Sequence, residues 1–206
     1  MKKGYFITFE GADGSGKTTQ LNMLKTYLIE QGFDVVTTRE PGAMETGKEI
    51  RNILLNNETS ISEKCEMFLF LADRANHVEM FIEPNLSAGK IILCDRHTDS
   101  TIAYQGYGRG RDIKLLKELN DIAVGNIEPD LTLLYDVSAE TAMERVGKEK
   151  DRMEASGAEF HKRVREGYLE LQKENPERIK IINADNSINE VFEDTKKVIN
   201  KLLQES

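Results

Sequence analysis

Apolar positions recur along the chain in two rhythms. Five short runs, at residues 5–9, 34–38, 90–94, 131–135 and 178–182, are dense in β-branched and aromatic side chains and bounded by loop residues, a pattern that predicts strands. Between them the apolar positions fall three or four apart. Leu21, Leu24 and Leu28 share one helical face, and Gly32 stands where a C-terminal cap belongs. Ser60-Ile61-Ser62-Glu63 reads as a capping box opening a long helix that runs towards Pro84. Ser187-Ile188-Asn189-Glu190 reads as a second box, ahead of an apolar stripe of Val191, Phe192, Thr195, Val198, Ile199, Leu202 and Leu203. Strands alternating with helices and no dividing linker predict an α/β fold. Its five strands should lie parallel in one sheet, with helices on both faces, as a single domain over residues 1–206.

Composition narrows the function classes. The 206 residues are 39% apolar and 31% charged with only four prolines, which suits one domain with a substantial core and not a disordered chain. The longest apolar run, residues 67–72, is far short of the roughly 20 residues that span a bilayer. The opening "MKKGYFITFEG" has no signal-peptide core, so the expectation is a cytoplasmic protein with no membrane partner. Cys65 and Cys94 fit neither a zinc spacing nor a disulfide framework and are expected as buried, reduced thiols. A net charge of −8 argues against a nucleic-acid partner, because neutralising a phosphate backbone takes a basic face. Any polyanionic ligand must be met by local clusters of cations.

One stretch points directly at such a ligand. Gly11, Ala12, Asp13, Gly14, Ser15, Gly16, Lys17 and Thr18 satisfy G-x-x-x-x-G-K-[ST], after a predicted strand and before a predicted helix. Glycines let successive N–H groups turn inward, and the helix start adds roughly half a positive charge. Lys17 would reach the β- and γ-phosphates of ATP, and the Thr18 hydroxyl would ligate Mg²⁺. The run Lys90-Ile91-Ile92-Leu93-Cys94-Asp95 ends in a carboxylate, as a buried strand serving the same Mg²⁺ would, with Arg96 directly after it. A lone strand-end Asp is also a common helix cap. No N-K-x-D tetrapeptide is present to read guanine, and the acidic balance disfavours a nucleic-acid motor. A small-molecule kinase remains, and it needs arginines near strand ends. Arg39, Arg74, Arg96 and a group from Arg145 to Arg152 meet that need.

The segments "TREPG" (38–42), "FLFLADR" (68–74), "DRHTDSTIAYQGYGRG" (95–110) and "EFHKRVREGY" (159–168), with the phosphate loop, together resemble the thymidylate kinase family, in order and spacing. The resemblance runs from about Tyr5 to the terminal helix. It implies the P-loop NTPase fold, direct transfer of phosphate from ATP to dTMP with Mg²⁺, and a homodimer. It implies that Arg39 clamps the dTMP phosphate, with Arg51 as a further acceptor-side arginine. Arg96 would bridge the acceptor and the transferred phosphoryl group. Phe70 would stack on thymine, and Arg74, one helical turn on, would donate to a base carbonyl. Thr101 and Gln105 match readers of the base edge, and Tyr104 a ring beneath the sugar. Asp13 matches a carboxylate that meets the 3′-hydroxyl and tunes the magnesium shell. Phe70 alone, inside an apolar run, would otherwise read as core. His97 is expected as a packing substitute for an aromatic residue, and His77 and His161 as surface residues.

Residues 145–165 hold seven basic and four acidic side chains in an otherwise acidic chain. Lys162 to Arg165 read as a solvated face, with Phe160, Val164 and Tyr168 as its buried stripe. Residues 145–157 read as a short lid with Gly147 and Gly157 as hinges. Position 14 is Gly where one branch of the family carries arginine, so the lid is the expected source of the catalytic cation, Arg152 first and Arg145 second. Two departures stand out. "REPGG" is here Arg39-Glu40-Pro41-Gly42-Ala43, and the lid carries lysines where arginines are common. A kinase for another nucleoside monophosphate or a deoxynucleoside, and a non-catalytic ATP-binding protein, remain as alternatives.

Overall fold

A computed structural model describes residues 4–56, 58–145 and 157–204. The strands are β1 (Tyr5–Glu10), β2 (Val35–Arg39), β3 (Ile91–Asp95), β4 (Leu131–Asp136) and β5 (Ile179–Asn183). They form one fully parallel sheet in the order β2-β3-β1-β4-β5. The helices are α1 (Lys17–Glu30), α2 (Glu45–Leu55), α3 (Glu63–His77), α4 (Glu83–Ser87), α5 (Thr98–Thr101), α6 (Ile113–Val124), α7 (Ala139–Arg145), α8 (Ala158–Glu174) and α9 (Ile188–Gln204), with π-helical stretches at Val78–Ile82 and Ile102–Gly108. Tyr5, Ile7 and Phe9 of β1 join Ile91, Leu93, Leu131, Leu133 and Tyr135 in a core with α1 and α9. The intervening Phe6, Ile92 and Cys94 pack on the opposite face with Val78, Ile82 and Val124. Successive side chains of a strand point to opposite faces, so the central strands are apolar on both.

Every strand ends one residue beyond its apolar run. The added residues, Glu10, Arg39, Asp95, Asp136 and Asn183, are all polar, and they still pair in the ladder, Arg39 and Phe9 both opposite Asp95. Backbone pairing does not depend on the side chain, and the C-terminal edge of a parallel sheet is where ligands bind. The polar ends are therefore the floor of a site.

Helix ends follow the expected physics with two shifts. After α1 the Gly32 N–H reaches the Ile29 carbonyl and the Phe33 N–H the Leu28 carbonyl, which is a Schellman cap. The Ser187/Glu190 box forms, with the Ser187 N–H donating to Glu190 Oε2 at 3.0 Å. The cap of α3, however, is Ser62, whose hydroxyl accepts the Cys65 N–H at 3.2 Å, and Ser60 lies outside it. Pro84 does not stop the helical path either. It sits in the first turn of α4, where its missing N–H costs nothing.

Candidate active site

The phosphate loop joins β1 to α1 at the sheet's C-terminal edge. Gly11 stands at φ 137°, and a side chain there would collide with the Tyr135 carbonyl of β4, so only glycine fits. Lys17 folds back into the loop, its Nζ donating to the Gly11 and Ala12 carbonyls at 3.0 and 2.8 Å. Burial and the neighbouring Arg96 push its pKa down to about 8. Such a cation gains most from an incoming anion. The Thr18 hydroxyl, at the exposed start of α1, donates to Asp95 Oδ2 at 2.9 Å. A hydroxyl and a carboxylate side by side at a phosphate loop are a hard, oxygen-only pair that fits Mg²⁺ completed by phosphate and water oxygens.

Beside the loop lies a cavity of about 220 Å³. Asp13, Arg39, Arg51, Phe70, Arg74, Arg96, Thr101, Tyr104 and Gln105 all line it, so every acceptor-side residue expected from the sequence is brought to one place. Glu40, Pro41, Leu55, His97 and Ser100 complete the wall. Phe70 is half-buried and faces this space, outside the three apolar cores. The π-helical stretch Ile102–Gly108 aims Tyr104 and Gln105 inward; α8 packs on it so closely that a side chain at Gly108 would strike Phe160. Gln105 Nε2 donates to Glu66 Oε1 at 2.6 Å, while its buried Oε1 has no hydrogen-bond partner among the described residues. Arg51 Nη1 donates to the Pro41 carbonyl at 3.0 Å. A second cavity of about 260 Å³ meets the first at Asp13 and runs between α7 and α8.

Arg74 is only 2% exposed. Its Nε donates to Glu40 Oε2 at 2.9 Å, its Nη1 to Thr101 Oγ1 and Asn120 Oδ1 at 2.7 and 2.6 Å, and its Nη2 to the His97 carbonyl at 2.9 Å. A base carbonyl reaching Arg74 must share or replace one of these bonds. Glu40 also meets His77 Nδ1 at 2.8 Å and His97 Nδ1 at 3.0 Å. Burial opposes its ionisation, but Arg74 and His97 outweigh that and hold its carboxyl well below the usual range. His77 is fully buried, with Nε2 on Thr38 Oγ1 at 2.7 Å, which corrects its expected place on the surface. His97 packs edge-on against Phe6, as an aromatic substitute would, and burial lowers its pKa.

Arg96 adopts the left-handed backbone, φ 71°, alone among the described non-glycine residues. Its Nη2 donates to Asp13 Oδ1 at 2.6 Å, and its guanidinium lies 5.0 Å over the Tyr104 ring. The Tyr104 hydroxyl donates to Asp13 Oδ2 at 3.2 Å. Burial works against the Asp13 charge, yet Arg96 and Lys17 hold its carboxyl below the usual range.

The expected lid falls mostly outside the described residues, Gly147 and Arg152 included. Arg145 ends α7 and donates to the Ala184 carbonyl at 2.8 Å, so it is not brought to the cavity. The α8 stripe of Phe160, Val164 and Tyr168 is buried as expected, and Arg165 forks onto Asp136 at 2.6 and 2.7 Å. His161 is half-buried against the second cavity. Cys94 is buried but Cys65 is exposed, on the outer face of α3, which corrects half of the thiol expectation.

The thymidylate kinase family model matches residues 9–195. The chain belongs to the thymidylate kinase family. It is 50% identical over 208 residues to thymidylate kinase of Maridesulfovibrio salexigens, covering 96% of both chains. It is 48% identical over 189 residues to thymidylate kinase of Desulfovibrio desulfuricans, covering 87% of both. Among solved structures it is similar to thymidylate kinase from Ehrlichia chaffeensis, with TM-score 0.80, 39% identity, and coverage of 96% of this chain and 99% of that one.

Against the thymidylate kinase pattern, the Ala43 departure is harmless to the backbone. Gly42 holds the positive φ of that loop, 107°, where a side chain would press on Arg51, and Ala43 has no such angle. Glu10, Glu40, Ser100 and Tyr168 were not singled out as members of the site. Glu10 carried the same signal as Asp95, an apolar run ending in a carboxylate.

Proposed function

We propose that the chain phosphorylates dTMP to dTDP, taking the γ-phosphoryl group of ATP by direct in-line transfer. The observation that carries this reading is a single cavity lined by Phe70 and Arg74, by Arg39 and Arg51, by Asp13 of the phosphate loop and by Arg96 after β3. Phe70 and the Thr101/Gln105 edge suit a flat pyrimidine, and Tyr104 beneath the sugar position disfavours a 2′-hydroxyl. Arg39 and Arg51 suit the acceptor phosphate. Lys17 would leave the loop carbonyls for the β- and γ-phosphates, and Arg96 would meet both the acceptor and the transferred group. Thr18 and, through water, Asp95 would hold Mg²⁺, which when bound screens the phosphate charge. An acceptor that is already an ionised phosphate needs no strong base. Arg152 remains the proposed lid cation.

Phe68 on α3 is 52% exposed, and Leu115 and Ile122, two turns apart on the adjoining α6, are 49% and 80% exposed. These exposed apolar side chains support the proposed homodimer. Among the described residues no helix is long and apolar enough to cross a membrane; a cytoplasmic location is part of the proposal.

The test is ADP production from ATP and Mg²⁺ with dTMP, dUMP, AMP, GMP, thymidine or no acceptor. Turnover is expected with dTMP first and dUMP behind it. Turnover led by AMP or GMP would overturn the reading of the Phe70/Arg74 wall, and no acceptor-dependent turnover would overturn the kinase.

A further inference from the structure

The end of β1 buries a carboxylate for which the proposed transfer has no use. Glu10 is fully buried and does not line the cavity. Its Oε1 accepts the His97 N–H at 2.7 Å. Its Oε2 accepts the Ser100 hydroxyl at 2.6 Å and the Tyr168 hydroxyl at 2.9 Å. These donors come from three places, the turn after β3, α5 and α8. Both hydroxyl oxygens also accept from Arg96 Nη1, each at 3.3 Å.

Ser100 Oγ and the Tyr168 hydroxyl also lie 2.8 Å apart, so their two protons are shared between Glu10 and that contact. Arg96 has only donors to offer, and the two hydroxyl oxygens tied to Glu10 stand where its Nη1 reaches them. The buried carboxylate therefore fixes the positions of two acceptors of the guanidinium. It also acts on the backbone. Arg96 holds a left-handed φ that residues with a Cβ resist, and the next N–H along the chain is the one Glu10 binds.

We propose that Glu10 is a positioning residue for the phosphoryl transfer, orienting the Arg96 guanidinium through the Ser100 and Tyr168 hydroxyls and holding the Arg96 backbone through the His97 N–H. This rests on the kinase reading, in which Arg96 meets the phosphoryl groups. A filler role explains the position poorly. Burial, with Asp99 nearby, pushes the Glu10 carboxyl up to about 7, so the fold carries a costly ionisable group where an amide or apolar residue would be easier to bury.

A double-mutant cycle between Glu10→Gln and Arg96→Ala decides it, with kcat and KM followed by transfer of labelled γ-phosphate to dTMP. In the otherwise native enzyme, Glu10→Gln should lower kcat about 10- to 100-fold, the scale of a misplaced catalytic group, with KM for dTMP within about 3-fold. In the Arg96→Ala background the same change should cost less than about 3-fold, because its target is gone. An equal loss in both backgrounds overturns the proposal, as does a Glu10→Gln enzyme within about 2-fold of the native rate. If Glu10→Gln does not fold, Ser100→Ala enters the same cycle under the same criteria. A native chain without dTMP turnover sinks the kinase reading instead. The cycle is then read on dTMP affinity by calorimetry, where coupling between Glu10 and Arg96 upholds the positioning role and its absence overturns it.

Discussion

The buried pair Arg74–Glu40 allows a prediction with a worked magnitude. Glu40→Gln keeps the side-chain shape and removes one charge. The native carboxylate accepts from Arg74 on one oxygen and meets two histidines on the other. An amide offers one accepting atom and one donating atom. If its oxygen stays on Arg74, its NH₂ faces the histidine nitrogens, which can turn to accept by changing tautomer. The hydrogen bonds are then largely recovered, but the Arg74 charge, 2% exposed, loses its counterion. Breaking a buried pair in this way costs about 3–5 kcal/mol, and the partial rescue argues for the lower end, about 3 kcal/mol. For a chain of this size that is a fall in Tm of about 6–12 °C.

The pH dependence has a definite sign. The folded Glu40 carboxyl lies well below 4.5, its ordinary value, and the unfolded one does not. Its contribution to stability is thus complete above that value and lost as pH falls through the folded one. Scanning calorimetry at pH 7.5 and pH 4 should therefore show a large gap between the native chain and Glu40→Gln that narrows in acid. A gap below about 2 °C at pH 7.5, or one that widens at pH 4, would refute the reasoning.

Three further outcomes follow from the same geometry. Lys17→Met removes the cation poised at the phosphates, and kcat should fall at least 100-fold while the melting curve changes little, read by ADP release and circular dichroism. Glu10 has the opposite linkage to Glu40: its carboxyl rises from 4.5 to about 7 on folding, so stability is lost as pH climbs between those values. Glu10→Gln removes that loss and should be more stable than the native chain at pH 8, by about 1–3 kcal/mol in urea titrations, despite its slower turnover. Ile122→Glu places a charge at an apolar side chain that is 80% exposed and should shift the proposed homodimer to monomer in sedimentation velocity.

Apolar rhythm was enough to find the five strands, because buried central strands must be apolar on both faces, and their alternation with helices was enough to make the sheet parallel; the order β2-β3-β1-β4-β5 came only from the structure. It cut each strand short at Glu10, Arg39, Asp95, Asp136 and Asn183, since hydrophobicity says nothing about a backbone that pairs regardless. The phosphate loop was legible from spacing alone. The cavity wall was not; Phe70, Tyr104 and Gln105 lie on helices where nothing but the family resemblance separates them from ordinary packing residues. Glu40 was passed over and His77 was placed on the surface because charged or polar residues read as surface until their partners are known, and Arg74 and His77 lie 34 and 37 residues from Glu40. Ser60 was preferred to Ser62 as a cap because both precede helical sequence, and only the backbone angles decide between them.

How a chain of net charge −8 holds two phosphate-bearing substrates depends on which arginines are already neutralised. Arg74 faces the part of the cavity proposed for the uncharged base, and it is paired with Glu40 in a nearly water-free setting. An unpaired cation there would be costly to bury and would favour an anion over a base. Arg39, where the doubly charged acceptor phosphate is proposed, is exposed at the end of β2 and has no ion pair among the described residues. Its full charge is available to the ligand. Arg96 lies between the two and shares Asp13 with the Tyr104 hydroxyl. A phosphoryl group arriving at Arg96 competes with that carboxylate, and Asp13 keeps a donor in Tyr104 when it yields. The charge of each arginine is thus matched to the charge of what it would meet, so the net charge of the whole chain is a poor guide to its ligands.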